Sequence, residues 1–77
     1  MSRRDTMAEP SWRVQVIRGA DAPIDLQGTV SHESLFPTLA RAQEYYDSLY
    51  IKGSKKRMQE RPAFSNRYYT IKQEDML

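Results

Sequence analysis

A stripe of apolar residues with helical spacing lies in the middle of the chain and sets the first constraint on its fold. Successive members are four, three, four and three residues apart, so they share one side of a helix; they are Leu35, Leu39, Ala42, Tyr46 and Leu49. Ser34 can cap the start of this helix, Pro37 is tolerated in its first turn, and Gly53 can end it. Because the stripe must be buried, the flanking segments have to supply a surface for it.

Three segments with the character of β-strands flank the predicted helix. Residues 11–18 alternate along the chain and contain β-branched and aromatic side chains. Residues 24–30 alternate again after a loop that contains Gly19 and Pro23, which favours a hairpin between these two segments. Residues 67–73 are rich in β-forming types and are the third predicted strand.

The order strand, strand, helix, strand predicts an α+β protein. We expect a small β-β-α-β domain in which one helix packs on one face of a three-stranded antiparallel sheet. The expected core consists of Trp12, Val14, Val16, Ile24, Leu26, Val30, Leu39, Ala42, Tyr46, Leu49, Tyr69 and Ile71. A length of 77 residues allows one domain. We expect a disordered N-terminal tail over residues 1–10, a single α+β domain over residues 11–73 and a loose C-terminal end over residues 74–77.

The side chains that catalytic and metal sites require are scarce in this sequence. The chain has one histidine, His32, and no cysteine, whereas a structural zinc site takes about four such ligands. Its three glycines are scattered and do not form a phosphate-binding loop. Glu44 and Asp47 lie three residues apart on the predicted helix, where a solvated face beside Arg41 accounts for them. The sequence therefore predicts a protein that is not an enzyme and binds no cofactor or metal.

The distribution of apolar residues also bears on where the protein resides. No apolar run approaches the roughly 18 residues of a membrane span. The arginines near the N-terminus are not followed by the apolar stretch of a secretion signal. The absence of cysteine fits a reducing compartment. We therefore expect a cytoplasmic protein with no membrane partner.

Positive charge is concentrated in one segment, Lys52 to Arg67. This segment has six basic residues and one acidic residue, a balance of +5, whereas the rest of the chain has a balance of −3. We interpret it as a solvated connector before the last strand, and clustered charge of this kind makes a docking surface. The candidate binding residues in and next to this segment are Lys52, Lys55, Lys56, Arg57, Arg61, Phe64, Arg67 and Tyr68. If the segment is a loop, replacing Lys55, Lys56 and Arg57 with glutamate leaves the fold intact.

Tyrosine is abundant and occurs twice as an adjacent pair. The chain has five tyrosines, with Tyr45 next to Tyr46 on the predicted helix and Tyr68 next to Tyr69 on the predicted third strand. Neighbours on a helix or strand cannot both point to the centre of the core, so at least one tyrosine of each pair is exposed. Tyr45 and Tyr68 are therefore further candidates for a binding surface, where tyrosine is favoured.

Three functions are compatible with these patterns. The first is a non-enzymatic protein that docks on a larger macromolecular complex and blocks or bridges it. In size and general layout the chain is similar to small phage-encoded proteins that disable host polymerases or host defence complexes, including anti-CRISPR proteins, and that resemblance implies an inhibitor. The second is direct binding of nucleic acid through the basic segment and the exposed aromatic residues. The third is a structural or assembly homodimer joined through a free sheet edge.

Overall fold

The computed structural model describes residues 8–77, which contain a four-stranded antiparallel sheet and a helix packed on one face of it. Along the chain the elements are β1 (Ser11–Ile17), β2 (Val30–Phe36), α1 (Leu39–Ser48), β3 (Lys55–Arg61) and β4 (Tyr69–Asp75). Across the sheet the strand order is β2-β1-β3-β4. The α+β class and the β-β-α-β layout are confirmed, but the predicted three-stranded sheet is wrong.

The strand that the sequence prediction missed is β3, which lies inside the predicted basic connector. It is central in the sheet, between β1 and β4. Its positions that face the helix hold Lys56, Met58 and Glu60, so only one of them is apolar. The segment therefore lacks the apolar alternation that identifies a strand in a sequence.

The second strand begins six residues later than predicted. Residues 24–29 belong instead to the loop after β1, because the Pro23 carbonyl accepts hydrogen bonds from the amides of Leu26 and Gln27 at 2.8 and 3.1 Å. A hydrogen bond from the Arg18 amide to the Thr29 carbonyl closes this loop at 2.9 Å. Ile24 is consequently 86% exposed, although its alternation with Leu26 resembled that of a strand.

The helix begins later than the apolar stripe suggested. Leu35 and Phe36 belong to β2, and Thr38, not Ser34, is the N-cap: its hydroxyl accepts a hydrogen bond from the Arg41 amide at 3.2 Å. Pro37 stands just before the cap, where it helps to separate the strand from the helix. The first part of the stripe is therefore outside α1, and Leu35 is exposed.

The core is small and lies between α1 and the centre of the sheet. Its fully buried cluster comprises Val14, Ala42, Tyr46 and Met58, against which Trp12, Phe36, Tyr45 and Leu49 pack. The backbone of the helix lies close to β1, β2 and β3 but not to β4, whose Lys72 reaches it with its side chain: the ammonium lies 5.2 Å from the centre of the Tyr46 ring. Half of the predicted core residues are exposed instead, because they lie in the loop after β1, at the start of β2 or α1, or on β4; they are Ile24, Leu26, Val30, Leu39, Tyr69 and Ile71.

The two ends of the chain were expected to be loose. The predicted tail, residues 1–10, lies outside the described residues except for its last three. At the other end, Glu74 and Asp75 are part of β4, which corrects the prediction of a loose segment from residue 74. Met76 is buried, and its backbone exchanges hydrogen bonds with Gly53 and Ser54 at 3.0 and 2.8 Å. These bonds fix the C-terminal strand to the turn that precedes β3.

Candidate binding surface on the outer face of the sheet

The basic residues predicted to form one surface are divided between the two sides of the sheet. Successive side chains of a strand point to opposite faces, and Lys56 and Met58 share the side of α1. Lys55, Arg57 and Arg61 therefore lie on the opposite side, which we call the outer face. The middle of the predicted connector, Lys55–Arg61, is therefore a strand and not a loop, and its charged side chains lie on two faces of the sheet.

Lys56 serves the fold and is not available to a partner. The residue is 7% exposed, and its Nζ donates to the carbonyl oxygens of Tyr46 and Leu49 at 2.7 and 3.4 Å. The same ammonium lies 3.3 Å from Glu74 Oε1 and 4.3 Å from the centre of the Tyr46 ring. It neutralises the negative end of α1, where the last carbonyls lack partners within the helix.

Tyr46, beneath this ammonium, is the most strongly enclosed tyrosine. Its hydroxyl has no hydrogen-bond partner in the described part of the chain. Burial, and then the nearby carboxylates of Glu74 and Asp47, raise the pKa of Tyr46 to about 12. The ring is therefore a neutral core group at physiological pH.

The centre of the outer face consists of two arginine–glutamine pairs. Arg13 on β1 is directly opposite Gln59 on β3, and Gln15 is directly opposite Arg57. Arg13 donates from Nε and Nη2 to Gln59 Oε1 at 2.9 and 2.6 Å. Arg57 donates in the same way to Gln15 Oε1 at 2.9 and 2.5 Å. Each guanidinium is thus held by two hydrogen bonds to one neutral amide.

The far ends of both glutamines are also fixed. Gln15 Nε2 donates to Glu33 Oε1 on β2 at 2.8 Å, and Gln59 Nε2 donates to Thr70 Oγ1 on β4 at 3.3 Å. The pairs therefore form a network that crosses all four strands. Since glutamine is neutral, it orients the arginines without cancelling their charge; the carboxylate beside them is Glu33, 3.9 Å from Arg13 Nε.

Tyr68 and Arg61 extend this network toward the end of β3. The Arg13 guanidinium stacks on the Tyr68 ring at 3.7 Å from its centre. The Tyr68 hydroxyl lies 3.4 Å from Ser11 Oγ, which also accepts a hydrogen bond from Arg61 Nε at 3.2 Å. Arg57, Arg61 and Tyr68, all predicted as binding residues, are therefore brought together on the outer face.

The loop between β3 and β4 places two further predicted residues at the edge of this surface. Phe64 is 78% exposed and so does not close the core. Arg67 is also exposed, and its backbone amide donates to Ser65 Oγ at 3.1 Å. Arg61 Nη1 donates to the Ser65 carbonyl at 2.6 Å, which joins the loop to the sheet.

The remaining predicted residues lie elsewhere. Lys52 precedes β3, whereas Phe64 follows it, so the length of a seven-residue strand, roughly 20 Å, separates them. Lys55 is near the start of β3, where its Nζ is 3.9 Å from Asp75 Oδ1. Tyr45 is on α1, on the other side of the sheet, and its ring packs against Phe36 with 5.2 Å between centroids.

Four residues of the network were not among the predicted binding residues: Arg13, Gln15, Gln59 and Glu33. A signal for the first three was present, because β1 contains Arg13-Val14-Gln15 and β3 contains Arg57-Met58-Gln59. When two such Arg-X-Gln units pair antiparallel and in register, each arginine is opposite a glutamine. The unit in β3 had been interpreted as part of a loop, so the repeat was not used.

Among residues 8–77 no cluster of histidine or acidic side chains could hold a metal ion, and no helix is long and apolar enough to cross a membrane. Comparison with protein-family models, with curated proteins and with solved structures gives no significant match. The function of the chain must therefore be inferred from its own surface.

Proposed function

We propose that the protein is a non-enzymatic binding domain that docks on a larger macromolecular complex through the outer face of its sheet. The observation that carries this proposal is the network of arginine–glutamine pairs. Ordering a long side chain on binding costs about 0.5–1.5 kcal/mol, and here Arg13 and Arg57 are ordered beforehand. Their Nη1 atoms have no acceptor among residues 8–77, so a partner can supply one.

The composition of the surface favours a protein partner. Arginine and tyrosine are enriched at protein interfaces and lysine is depleted there. Arg13 and Arg57 lie at the centre of the outer face and Arg61 and Tyr68 extend it, while the lysines of β3 lie at the start of that strand or in the core. The positive charge of these arginines, which their glutamine partners do not neutralise, favours a partner with an acidic surface. A blocking role in such a complex stays a prediction.

A matched pair of substitutions tests the use of the outer face. Leu35 is on β2, directly opposite Arg13, and is 61% exposed. Leu35→Glu places a carboxylate beside Arg13 without removing a core residue. Leu39→Glu makes the same change in the first turn of α1, on the other side of the sheet, where a negative charge suits the helix dipole. Both variants should keep the far-ultraviolet circular dichroism of the native protein.

The binding partner is identified by affinity capture from the source cell followed by mass spectrometry, and its affinity is measured by calorimetry with the purified partner. We expect Leu35→Glu to raise Kd at least tenfold and Leu39→Glu to change it less than twofold. Equal affinities for the two variants would contradict the proposal. Titration with labelled single-stranded DNA and RNA at about 50 mM salt tests the alternative, since micromolar binding that disappears at higher salt would indicate a nucleic-acid-binding protein.

A further inference from the structure

Phe64 occupies a backbone position that suits glycine. Its φ is 62°, in the left-handed region, where bulky residues are rare. The Ser65 amide donates to the Pro62 carbonyl at 3.2 Å, so residues 62–65 form a four-residue turn. A positive φ at the third position is the pattern of a type II turn, which favours glycine or asparagine there.

The side chain of Phe64 brings no compensating burial. The side chain is 78% exposed, so the aromatic ring lies in water. The strain of the positive φ is therefore not offset by contacts of the ring. The turn itself is held by other groups: Arg61 Nη1 donates to the carbonyls of Pro62 and Ser65 at 3.4 and 2.6 Å. Phenylalanine at this position therefore strains the backbone, and its ring gains almost no burial on folding that would offset the strain.

From this combination we infer that Phe64 is the anchor of a protein interface and inserts into an apolar pocket of the partner, an inference that rests on the proposed function. Exposed aromatic side chains held on a fixed backbone are typical of the few residues that dominate binding energy. Arg61 and Arg67 stand on either side of the turn, and the intervening sequence contains no acidic residue. The complementary partner is a folded protein whose apolar pocket has a rim of carboxylates.

A single strand of nucleic acid fits this surface less well. Binding of a single strand uses successive aromatic rings on which successive bases stack, and the tyrosines nearest to Phe64 in the sequence are Tyr68 and Tyr69. One face of the Tyr68 ring is covered by Arg13. Tyr69 pairs with Glu60, which shares the helix side of the sheet with Met58, so it points away from the outer face.

The variant that tests the anchor is Phe64→Asn. Asparagine accepts the left-handed conformation and loses less entropy on folding than glycine does. We expect its Tm to equal or exceed that of the native protein, and its Kd for the partner to rise about 30-fold or more. Ile24→Asn is the matched control, because Ile24 is 86% exposed on the distant loop after β1, and its Kd should be unchanged. At the rim, Arg67→Glu should weaken binding and Arg67→Lys should largely preserve it.

The contact is located by replacing Phe64 with the photo-reactive p-benzoylphenylalanine in the full chain and irradiating the source cells. A crosslink from position 64 to the partner that affinity capture identifies, with none from position 24, supports the inference. Absence of any product from position 64 overturns it. A fall in Tm of more than about 4 °C in Phe64→Asn also overturns it, since the ring would then be structural.

Two outcomes separate this inference from the proposed function. If Phe64→Asn binds the partner like the native protein while Leu35→Glu does not, the outer face is the interface and Phe64 is not its anchor. If Phe64→Asn instead abolishes binding to a labelled oligo-dT probe at about 50 mM salt, the residue stacks on bases and the protein-anchor inference is wrong.

Discussion

Replacing the buried ammonium of Lys56 is the most direct test of how this fold is held together. In Lys56→Met the stem of the side chain keeps its approximate length, but the hydrogen bonds to the Tyr46 and Leu49 carbonyls and the ion pair with Glu74 are lost. The contact between the ammonium and the Tyr46 ring also disappears. The substitution therefore removes charge from the core with little change in volume.

The expected loss follows from the separate contributions. A hydrogen bond from a charged donor contributes about 1.5–3 kcal/mol, and a desolvated cation over an aromatic ring contributes about 0.5–2 kcal/mol. Burial of the methionine side chain returns about 1–2 kcal/mol. Glu74 adds little to the loss, because its side chain is 54% exposed and water can solvate it. The net destabilisation is about 2 kcal/mol, a large share of the roughly 4–12 kcal/mol expected of a 77-residue protein.

Urea denaturation provides the measurement, with Trp12, the sole tryptophan, as the fluorescent probe. A loss of 2 kcal/mol corresponds to a fall in Tm of about 8–16 °C. Lys55→Met is the matched control, because the neighbouring lysine forms an exposed ion pair with Asp75 and should change stability by less than about 1 kcal/mol. A loss below about 0.5 kcal/mol in Lys56→Met, or equal losses in both variants, would refute the role assigned to Lys56.

The same contacts reverse an expectation drawn from the sequence. Replacing Lys55, Lys56 and Arg57 together with glutamate was expected to leave folding intact. In the structure, a glutamate at position 56 would place a carboxylate against the last carbonyls of α1 and against Glu74. A glutamate at position 57 would also remove the guanidinium that donates a hydrogen bond to Gln15 Oε1. The triple variant should therefore unfold, and it cannot serve as a test of the binding surface.

Two further substitutions test the core and the packing of the loops. The pKa of Tyr46 is raised to about 12 in the folded protein, so above pH 10 the phenol ionises more readily in the unfolded chain. The stability that the neutral phenol contributes is therefore complete below pH 10 and is lost as the pH rises toward 12. Relative to Tyr46→Phe, the native protein should lose about 1 kcal/mol in free energy of unfolding between pH 9 and pH 11, measured by urea denaturation, and parallel pH profiles would contradict this. Gly19→Ala should lower the free energy of unfolding by at least about 2 kcal/mol in the same assay. A Cβ at position 19 would lie 2.1 Å from the Gly53 carbonyl oxygen, so the backbone would have to move. Unchanged stability would show that the loops containing Gly19 and Gly53 are not in close contact.

The elements that were predictable from the sequence are those with local apolar patterns. Val14 and Val16 identified β1, and Ala42 and Tyr46 identified the buried side of α1. β3 could not be recognised in this way, because Lys56 points toward the core and is tolerated there only by the carbonyls at the end of α1. The Tyr46 carbonyl that accepts from Lys56 lies ten residues away along the chain, and no property of residues 55–61 alone reveals this hydrogen bond.

The candidate surface was only partly predictable for a related reason. The Arg13–Gln59 and Gln15–Arg57 pairs depend on the register between β1 and β3, which are separated in sequence by a loop, a strand and a helix. Charge counting identified Arg57 and Arg61 but could not assign them to one face. Phe64 was among the predicted binding residues, but its left-handed backbone conformation depends on the turn over residues 62–65 and was not evident from the sequence.

Because α1 packs on only three of the four strands, the sheet is supported unevenly. The helix braces β1, β2 and β3 from behind, whereas every residue of β4 is exposed and this strand is attached mainly along its border with β3. Opening of β4 therefore breaks few apolar contacts and requires much less free energy than disruption of the braced strands. A partner that binds the outer face would therefore contact three strands that the helix supports and one strand that is held mainly by its pairing with β3.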